Sequence, residues 1–453
     1  MNSIETLPNE ILCKILGFLS THEKFRAREV CQKWKGQVDE NVPFFDVILS
    51  NSSDPAVLAR FQTRRVASII LPGPSYLCSN IPIQNLSHLC RLKLVGNVVG
   101  PAVTDLATRA VNLTELEIWM NLDSDWPERK KTCELLPALR KIKNLYLRNS
   151  FGGIAWFTFE CWKPILRDEM PKLKRLEIDV SRWRATDRDT NLFGVVTFKP
   201  SANLCEFSLY NSSETQPEGL NSYVRVAAGW EERSEGASAS KGLRKLNLIG
   251  VTRRVVTDYK QWGILLSDQG NLEELQLYDS YSHFPGCGYD MSIIQQALRN
   301  NVDSLHTIRL DIEADRGSNE FDMGIFAPLA TLRHLHLIRP GGILRDSGRI
   351  VRDLCRIQNC STVIKGTLRS LLLYGFKFQK QEIDDVIKEM VKLNLERVEF
   401  ARSAVFEIGV GWNYFQRLAL QMNMKPEVKV IMTFLPSGSY GVEFRFIPNA
   451  NSS

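Results

Sequence analysis

Leu113-Thr-Glu-Leu-Glu-Ile-Trp-Met-Asn121 places apolar residues at 113, 116 and 118, with Asn121 three residues past the last of them. In an extended chain alternate side chains share a side, so Leu116 and Ile118 point one way while Glu115, Glu117 and Trp119 point the other. The same L-x-x-L-x-L spacing, with Ile, Val or Phe allowed, occurs thirteen times: at Phe44, Val66, Leu89, Leu113, Ile142, Leu173, Leu204, Leu243, Leu272, Leu305, Leu332, Leu368 and Leu395. Successive starts are 22 to 39 residues apart, which leaves no gap for a different domain. One occurrence means little in an apolar chain, but a sustained period means stacked units. A second feature fixes the phase. Three residues beyond the last apolar position stand Ser52, Asn97, Asn121, Ser150, Ser181, Ser212, Ser280 and Ser403, small polar residues suited to bonding backbone at a strand end.

Between these strands the period changes to 3.6. Ile383, Val386, Ile387, Met390 and Val391 follow helical spacing, as do Val103, Leu106, Ala107 and Ala110 after Pro101. Ile293, Ile294, Ala297 and Leu298, and later Ile350, Val351, Leu354 and Cys355, mark further helices. A strand–turn–helix unit buries neither face alone, so neighbours must stack. The pattern resembles the leucine-rich repeat, which implies an α/β horseshoe solenoid with a parallel inner sheet and outer helices. We assign it to residues 44–426. The polar insertion at 211–241 reads as a mobile surface loop. Residues 427–453 form a C-terminal cap and tail, in which Val428–Phe434 and Tyr440–Phe446 are expected to pair and cover the last repeat's edge.

Composition narrows the function classes. Basic and acidic residues number 57 and 51, a net charge of only +6, and no block of like charge marks a nucleic-acid footprint. Neither a signal peptide nor a membrane-spanning apolar run is evident, so a soluble cytoplasmic or nuclear protein is expected. The ten cysteines lack CxxC spacing, and none of Cys31, Cys90 or Cys205 has a sequence-evident His or acid to activate it. No phosphate loop or paired-carboxylate motif is present. His334-Leu-His336 sets two imidazoles on one strand face, but zinc needs three or four ligands, so neither metal nor cofactor is expected.

Residues 1–43 stand outside the repeat. Pro8 opens a helix with Glu10 in its first turn, and Ile11, Leu12, Ile15, Leu16 and Leu19 make an apolar face. Ser20 and Glu23 have capping-box spacing, and the helix they start carries Ala27, Val30, Cys31 and Trp34 at i, i+3, i+4 and i+7. Two helices this short either cap the first repeat or offer a face to a partner. The frame Leu7-Pro8-x-Glu10-Ile11-Leu12-x-x-Ile15-Leu16-x-x-Leu19, then Val30-Cys31-x-x-Trp34, resembles the F-box. With the repeats behind it, the chain resembles an F-box leucine-rich-repeat protein. The resemblance implies a non-catalytic substrate-recognition subunit of an SCF-type ubiquitin ligase: the F-box binds a Skp-type linker, and through it a cullin–RING scaffold, while the repeats hold a protein substrate. By position, Leu7, Pro8, Ile11, Leu12, Ile15, Leu16, Val30, Cys31 and Trp34 form the linker-facing and supporting set. Thr21 and Lys24 depart from that pattern, standing where related F-boxes commonly carry apolar residues, and are expected to lower linker affinity.

The strand face opposite the apolar one carries Trp119, Tyr146, Arg148, Arg175, Tyr210, Tyr278, His334, His336 and Tyr374. Aromatics and arginines dominate interface hot spots, so this is the candidate substrate face. Glu115, Glu117, Asp179, Glu206 and Glu274 lie among them, so it is neither simply basic nor simply acidic. The competing reading of the face is cross-strand packing, and the competing function is a scaffold or inhibitor acting outside a ligase.

Overall fold

In a computed structural model of the chain, the described residues are 7–49, 61, 65–72, 86–96, 106–120, 140–149, 170–179, 203–210, 242–249, 270–278, 291–311, 323–338, 351–354, 356, 367–374, 376–378, 385, 395, 397–405, 424–427, 433–434 and 440–448. By its contacts the chain divides into two compact units, Met1–Leu204 with Pro217–Gly219, and Cys205–Gln216 with Leu220–Ser453.

The first unit opens with α1 (Asn9–Gly17), α2 (Thr21–Ala27) and α3 (Gln32–Glu40). The parallel strands β1 (Val47–Ile48), β2 (Ser68–Pro72), β3 (Arg91–Val95), β4 (Glu115–Met120), β5 (Asn144–Asn149) and β6 (Arg175–Asp179) follow, each paired with the next. The second unit contains β7 (Glu206–Tyr210), β8 (Lys245–Ile249), β9 (Glu274–Tyr278), β10 (Thr307–Asp311), β11 (His334–Ile338) and β12 (Ser370–Tyr374), again parallel in chain order. After the short β13 (Lys377–Phe378), β14 (Arg397–Val405) pairs with β12. Every one of the thirteen sequence occurrences therefore falls on a parallel strand, a leucine-rich-repeat architecture.

The physical cause is visible in the burial. The apolar positions of the occurrences from Phe44 through Leu373, with Leu395, are buried, Leu49 alone being half-buried. Each such side chain is worth about 1.5–3 kcal/mol of hydrophobic free energy. A one-residue slip would turn them outward, and a repeated backbone device holds the register. The carbonyl of Ala67 accepts the amides of both Cys90 and Arg91, Cys90 those of Thr114 and Glu115, Thr114 those of Lys143 and Asn144, and Lys143 those of Lys174 and Arg175. In the second unit Cys205, Arg244, Glu273, His306 and Arg333 accept in the same double manner. Side chains just before the repeat leucines add a second tie between repeats: Asn203 Nδ2 donates to Pro171 O at 2.8 Å and Thr331 Oγ1 to Leu305 O at 2.8 Å. At the exit of β3, Gly96 adopts φ 89°, which brings its amide 2.8 Å from Trp119 O.

The helical spacing at 293–298 gives α4 (Met291–Asn300), with Ile294, Ala297 and Leu298 buried. Buried Asn301 follows it, donating to Ala297 O at 2.7 Å and accepting from Leu272 N at 2.8 Å, so the helix end is fixed to the preceding repeat. Leu106, Ala107 and Ala110, and Val351 and Leu354, are likewise buried on helical turns. Val103, Ile350, Cys355, the helix read at Ile383–Val391 (Asp385 apart), the 211–241 insertion and the polar positions other than Ser403 lie outside the described residues.

At the C-terminus β17 (Tyr440–Pro448) runs antiparallel to β14, and pairs also with β15 (Met424–Glu427) and β16 (Thr433–Phe434). Of the strand read at Val428–Phe434, only Thr433–Phe434 lies within the described residues, as β16, and β15 precedes it. Pro426 lies in β15, a position that removes one ladder donor and suits such short pairing.

One helix read from the sequence is corrected. The run from Ser20 to Trp34 is broken: α2 ends at Ala27, and Cys31 is extended (φ −161°, ψ 168°) before α3. Turning the chain at 28–31 brings Arg28 to Asp39 at 2.7 Å, an ion pair that a continuous helix would forbid. The amides of Arg28, Glu29 and Val30 meanwhile cap the carbonyls of Lys24, Arg26 and Ala27.

Candidate functional site

The helical segment has two faces with different fates. Pro8 is the N-cap of α1, and Ser20 and Glu23 close a reciprocal capping box on α2, with Glu23 N to Ser20 Oγ at 3.3 Å and Ser20 N to Glu23 Oε2 at 2.8 Å. Those bonds hold the Glu23 carboxyl below its ordinary range. Of the nine residues in the sequence-derived set, Leu12 and Leu16 are wholly buried. Ile11, Ile15 and Val30 are 43%, 44% and 59% exposed, and Pro8 is exposed too, whereas Leu7, Cys31 and Trp34 are half-buried. Trp34 Nε1 is a buried donor with no hydrogen-bond partner among the described residues. Phe18, absent from the sequence-derived set, is 91% exposed one further turn along the Ile11/Ile15 stripe. Its helical spacing from Ile11 and Ile15 was the signal available in the sequence.

The opposite face of the segment packs on the first repeat. Phe25 meets Phe44 at 5.3 Å and Phe61 at 5.6 Å between ring centroids, and Phe44 meets Phe61 edge-on at 5.7 Å. Thr21 Oγ1 donates to Phe45 O at 2.8 Å, and Lys24 Nζ to Pro43 O at 3.0 Å. Lys24 is 1% exposed, its ammonium 5.2 Å from the Phe45 ring centre, and burial pulls its pKa down. The two polar departures from the F-box pattern thus both contact the chain entering the first repeat. Both side chains join the helices to the first repeat.

On the strand face, register brings four of the nine candidates together in the first unit: Trp119 beside Arg148, and Tyr146 one pleat before, next to the strand that starts at Arg175. Two carboxylates organise them. Glu117, 6% exposed, accepts from Trp119 Nε1 at 2.6 Å and pairs with Arg91 at 3.1 Å and Lys93 at 3.4 Å. These contacts keep its pKa below the ordinary value, against the opposing effect of burial. Glu177, 3% exposed, pairs with Arg148 and, at 3.5 Å, with Arg175. Lys93 lies 4.6 Å over the Trp119 ring and Arg175 5.2 Å over Tyr146. In the first unit these aromatic and charged side chains thus contact one another across strands.

The second unit does not gather its candidates in that way. Tyr210 and Tyr278 end β7 and β9, separated by Ile249, and Tyr374 ends β12; the Tyr278 side chain lies outside the described residues. His334 is exposed, with Nδ1 2.8 Å from Ser370 Oγ. His336 sits beside Arg309, and burial together with that charge pushes its imidazole down to about 3. Among the described residues no group of three or more His, Cys, Asp or Glu is placed to hold a metal, and no helix is long and apolar enough to cross a membrane.

A family model described as F-box-like matches residues 4–42. No curated protein matches the chain. Among solved structures, one titled as a crystal structure of a TLR13–ssRNA13 complex is similar at 14% identity and a TM-score of 0.31, over 72% of this chain and 44% of that one. The chain thus spans under half the length of that protein. The helical segment is F-box-like, and leucine-rich repeats follow it.

Proposed function

We propose that the chain is a substrate-recognition adaptor of an SCF-type ubiquitin ligase in the cytoplasm or nucleus. Its helices grip a Skp-type linker, and through it a cullin–RING scaffold, while the repeats hold a protein substrate. The observation that carries the reading is the apolar stripe of Ile11, Ile15 and Phe18, left in water together with Val30 on a segment that matches the F-box-like family. Exposed apolar residues on one helix face fit a helical partner groove. The chain contributes no bond chemistry; it raises the local concentration of a bound protein beside a charged ubiquitin carrier. Neither cofactor, nucleic acid nor membrane enters the mechanism.

The Phe25–Phe44–Phe61 contact favours a second reading, a repeat scaffold or inhibitor whose helices serve only as a cap. Co-purification decides. Wild-type chain captures the linker and cullin, and Ile11→Asp abolishes capture while the melting temperature holds. If the wild type captures neither, or Ile11→Asp captures as well as wild type, the ligase reading is wrong and the scaffold remains.

A further inference from the structure

The two units answer the charges on their strand faces differently. In the first, Glu117 and Glu177 sit under Arg91, Lys93, Arg148 and Arg175. In the second, the corresponding central row runs Asn247, Gln276, Arg309, His336 and Leu372 across β8 to β12. Asn247 donates to Ser208 Oγ at 3.1 Å, and Gln276 donates to Glu274. Arg309 and His336 are then immediate neighbours, and His336 Nε2 is buried with no hydrogen-bond partner among the described residues. A buried polar atom left in that condition calls for an explanation.

We propose that Arg309 and His336, flanked by His334 and Ser370, form an anion-accepting subsite that anchors a carboxylate or phosphate group of the protein substrate. An anionic oxygen at His336 Nε2 would receive the missing hydrogen bond, with the imidazole proton on Nε2, and its charge would offset the adjacent guanidinium. Arg309 does not have to give up its present contacts, because a guanidinium has five N–H donors. A cationic ligand would meet the Arg309 charge, and an apolar one would leave Nε2 unbonded. Arg309 is also one cause of the depressed imidazole pKa, so a bound anion should reverse that effect. The surrounding charges are placed by register. Glu274 is at the start of β9, 3.5 Å from Lys245; Asp311 stands at the far end of β10; Glu399 lies on β14, beyond Leu372.

The inference deepens the reading of the repeats as the substrate holder, and its test is separable from linker capture. Full-length chain carrying 13C-labelled histidine is titrated with inorganic phosphate, with a short glutamate peptide and with a phosphoserine peptide of otherwise neutral sequence. The His336 resonance is expected to shift saturably, its titration midpoint to rise from about 3, and Arg309→Gln to weaken binding about tenfold or more. Whichever peptide binds more tightly identifies the anion's source. Absence of a His336 shift with all three probes overturns the site, as does unchanged affinity in both Arg309→Gln and His336→Gln. Should either variant fold poorly, the wild-type resonance decides alone. Linker capture is scored on the same preparation: capture without an anion response sinks the subsite only, and an anion response without capture sinks the ligase reading only.

Discussion

Lys24 Nζ donates to the carbonyl of Pro43 at 3.0 Å from a position only 1% exposed, so one buried cation ties α2 to the chain entering the first repeat. With Thr21 on Phe45 O and the Phe25–Phe44–Phe61 cluster, it makes the inner face of the F-box-like segment part of the repeat core. The outer face leaves Ile11, Ile15 and Phe18 exposed. The packed side and the exposed side of the segment can each be tested by their own substitutions.

Lys24→Ala removes a buried aliphatic stem and leaves Pro43 O without its donor. A loss of about 2–4 kcal/mol is expected. Lys24→Met keeps most of the volume and removes the buried charge, so a change within about 1.5 kcal/mol is expected. Urea denaturation followed by tryptophan fluorescence, with Trp34 as a local reporter, separates the two. Equal, large losses in both would show that the hydrogen bond and not the packing is decisive.

The strand face of the first unit depends on its carboxylates. Glu177→Ala leaves Arg148 and Arg175, 33% and 41% exposed, without their shared anion, and about 2–3 kcal/mol should be lost, since water solvates both guanidiniums. Glu117→Gln keeps an acceptor for Trp119 Nε1 but not the charge, so the loss should be smaller, about 1–3 kcal/mol. Denaturant midpoints of the two variants check the order, and the reverse order would contradict the burial of Glu177 at 3% against 6% for Glu117.

The repeat architecture was legible because its cause is local: each Leu116-x-Ile118 type pair must turn into one core, and the spacing shows it. Much of the site was not legible, because it depends on contacts between distant residues. Nothing near Lys24 in the chain says that its ammonium reaches Pro43 O, so a polar residue on an apolar pattern read as a defect. Trp119 and Arg148 read as free hot-spot residues because Glu117 and Glu177 take them up only once strands stack in register. The break at Cys31 was hidden in the same way: Ala27, Val30, Cys31 and Trp34 keep perfect helical spacing, and the Arg28–Asp39 pair that rewards a turn spans 11 residues.

His336 gives stability a pH dependence of definite sign. Its folded-state pKa is near 3 against the ordinary 6.5, so the folded chain holds it neutral while the unfolded chain takes up a proton below 6.5. Stability from this group is full above 6.5 and is lost as pH falls toward 3, amounting to about 2 kcal/mol by pH 5. His336→Gln should remove that component, so the fall in urea midpoint between pH 7.5 and 5.0 becomes shallower than in wild type. An identical fall in both chains would place the acid sensitivity elsewhere.

Leu12 within α1 and Phe18 at its C-cap offer separate tests of folding and of partner binding. Phe18 is 91% exposed and Leu12 is fully buried. Phe18→Ser therefore removes apolar surface available to a partner and almost none from the core, so stability should change by no more than about 0.5 kcal/mol. If the stripe is the linker-facing surface, loss of an aromatic anchor at its end costs about 1–2 kcal/mol of binding, a five- to thirty-fold weaker linker affinity. Leu12→Ala should do the converse, lowering stability by about 2–5 kcal/mol through the cavity it leaves, and impairing capture only in proportion to the unfolded fraction. Calorimetric titration of purified linker into each variant, alongside thermal melts, reads both quantities. Wild-type affinity in Phe18→Ser would exclude that end of the stripe from the interface, and wild-type stability in Leu12→Ala would mean the helix does not pack as described.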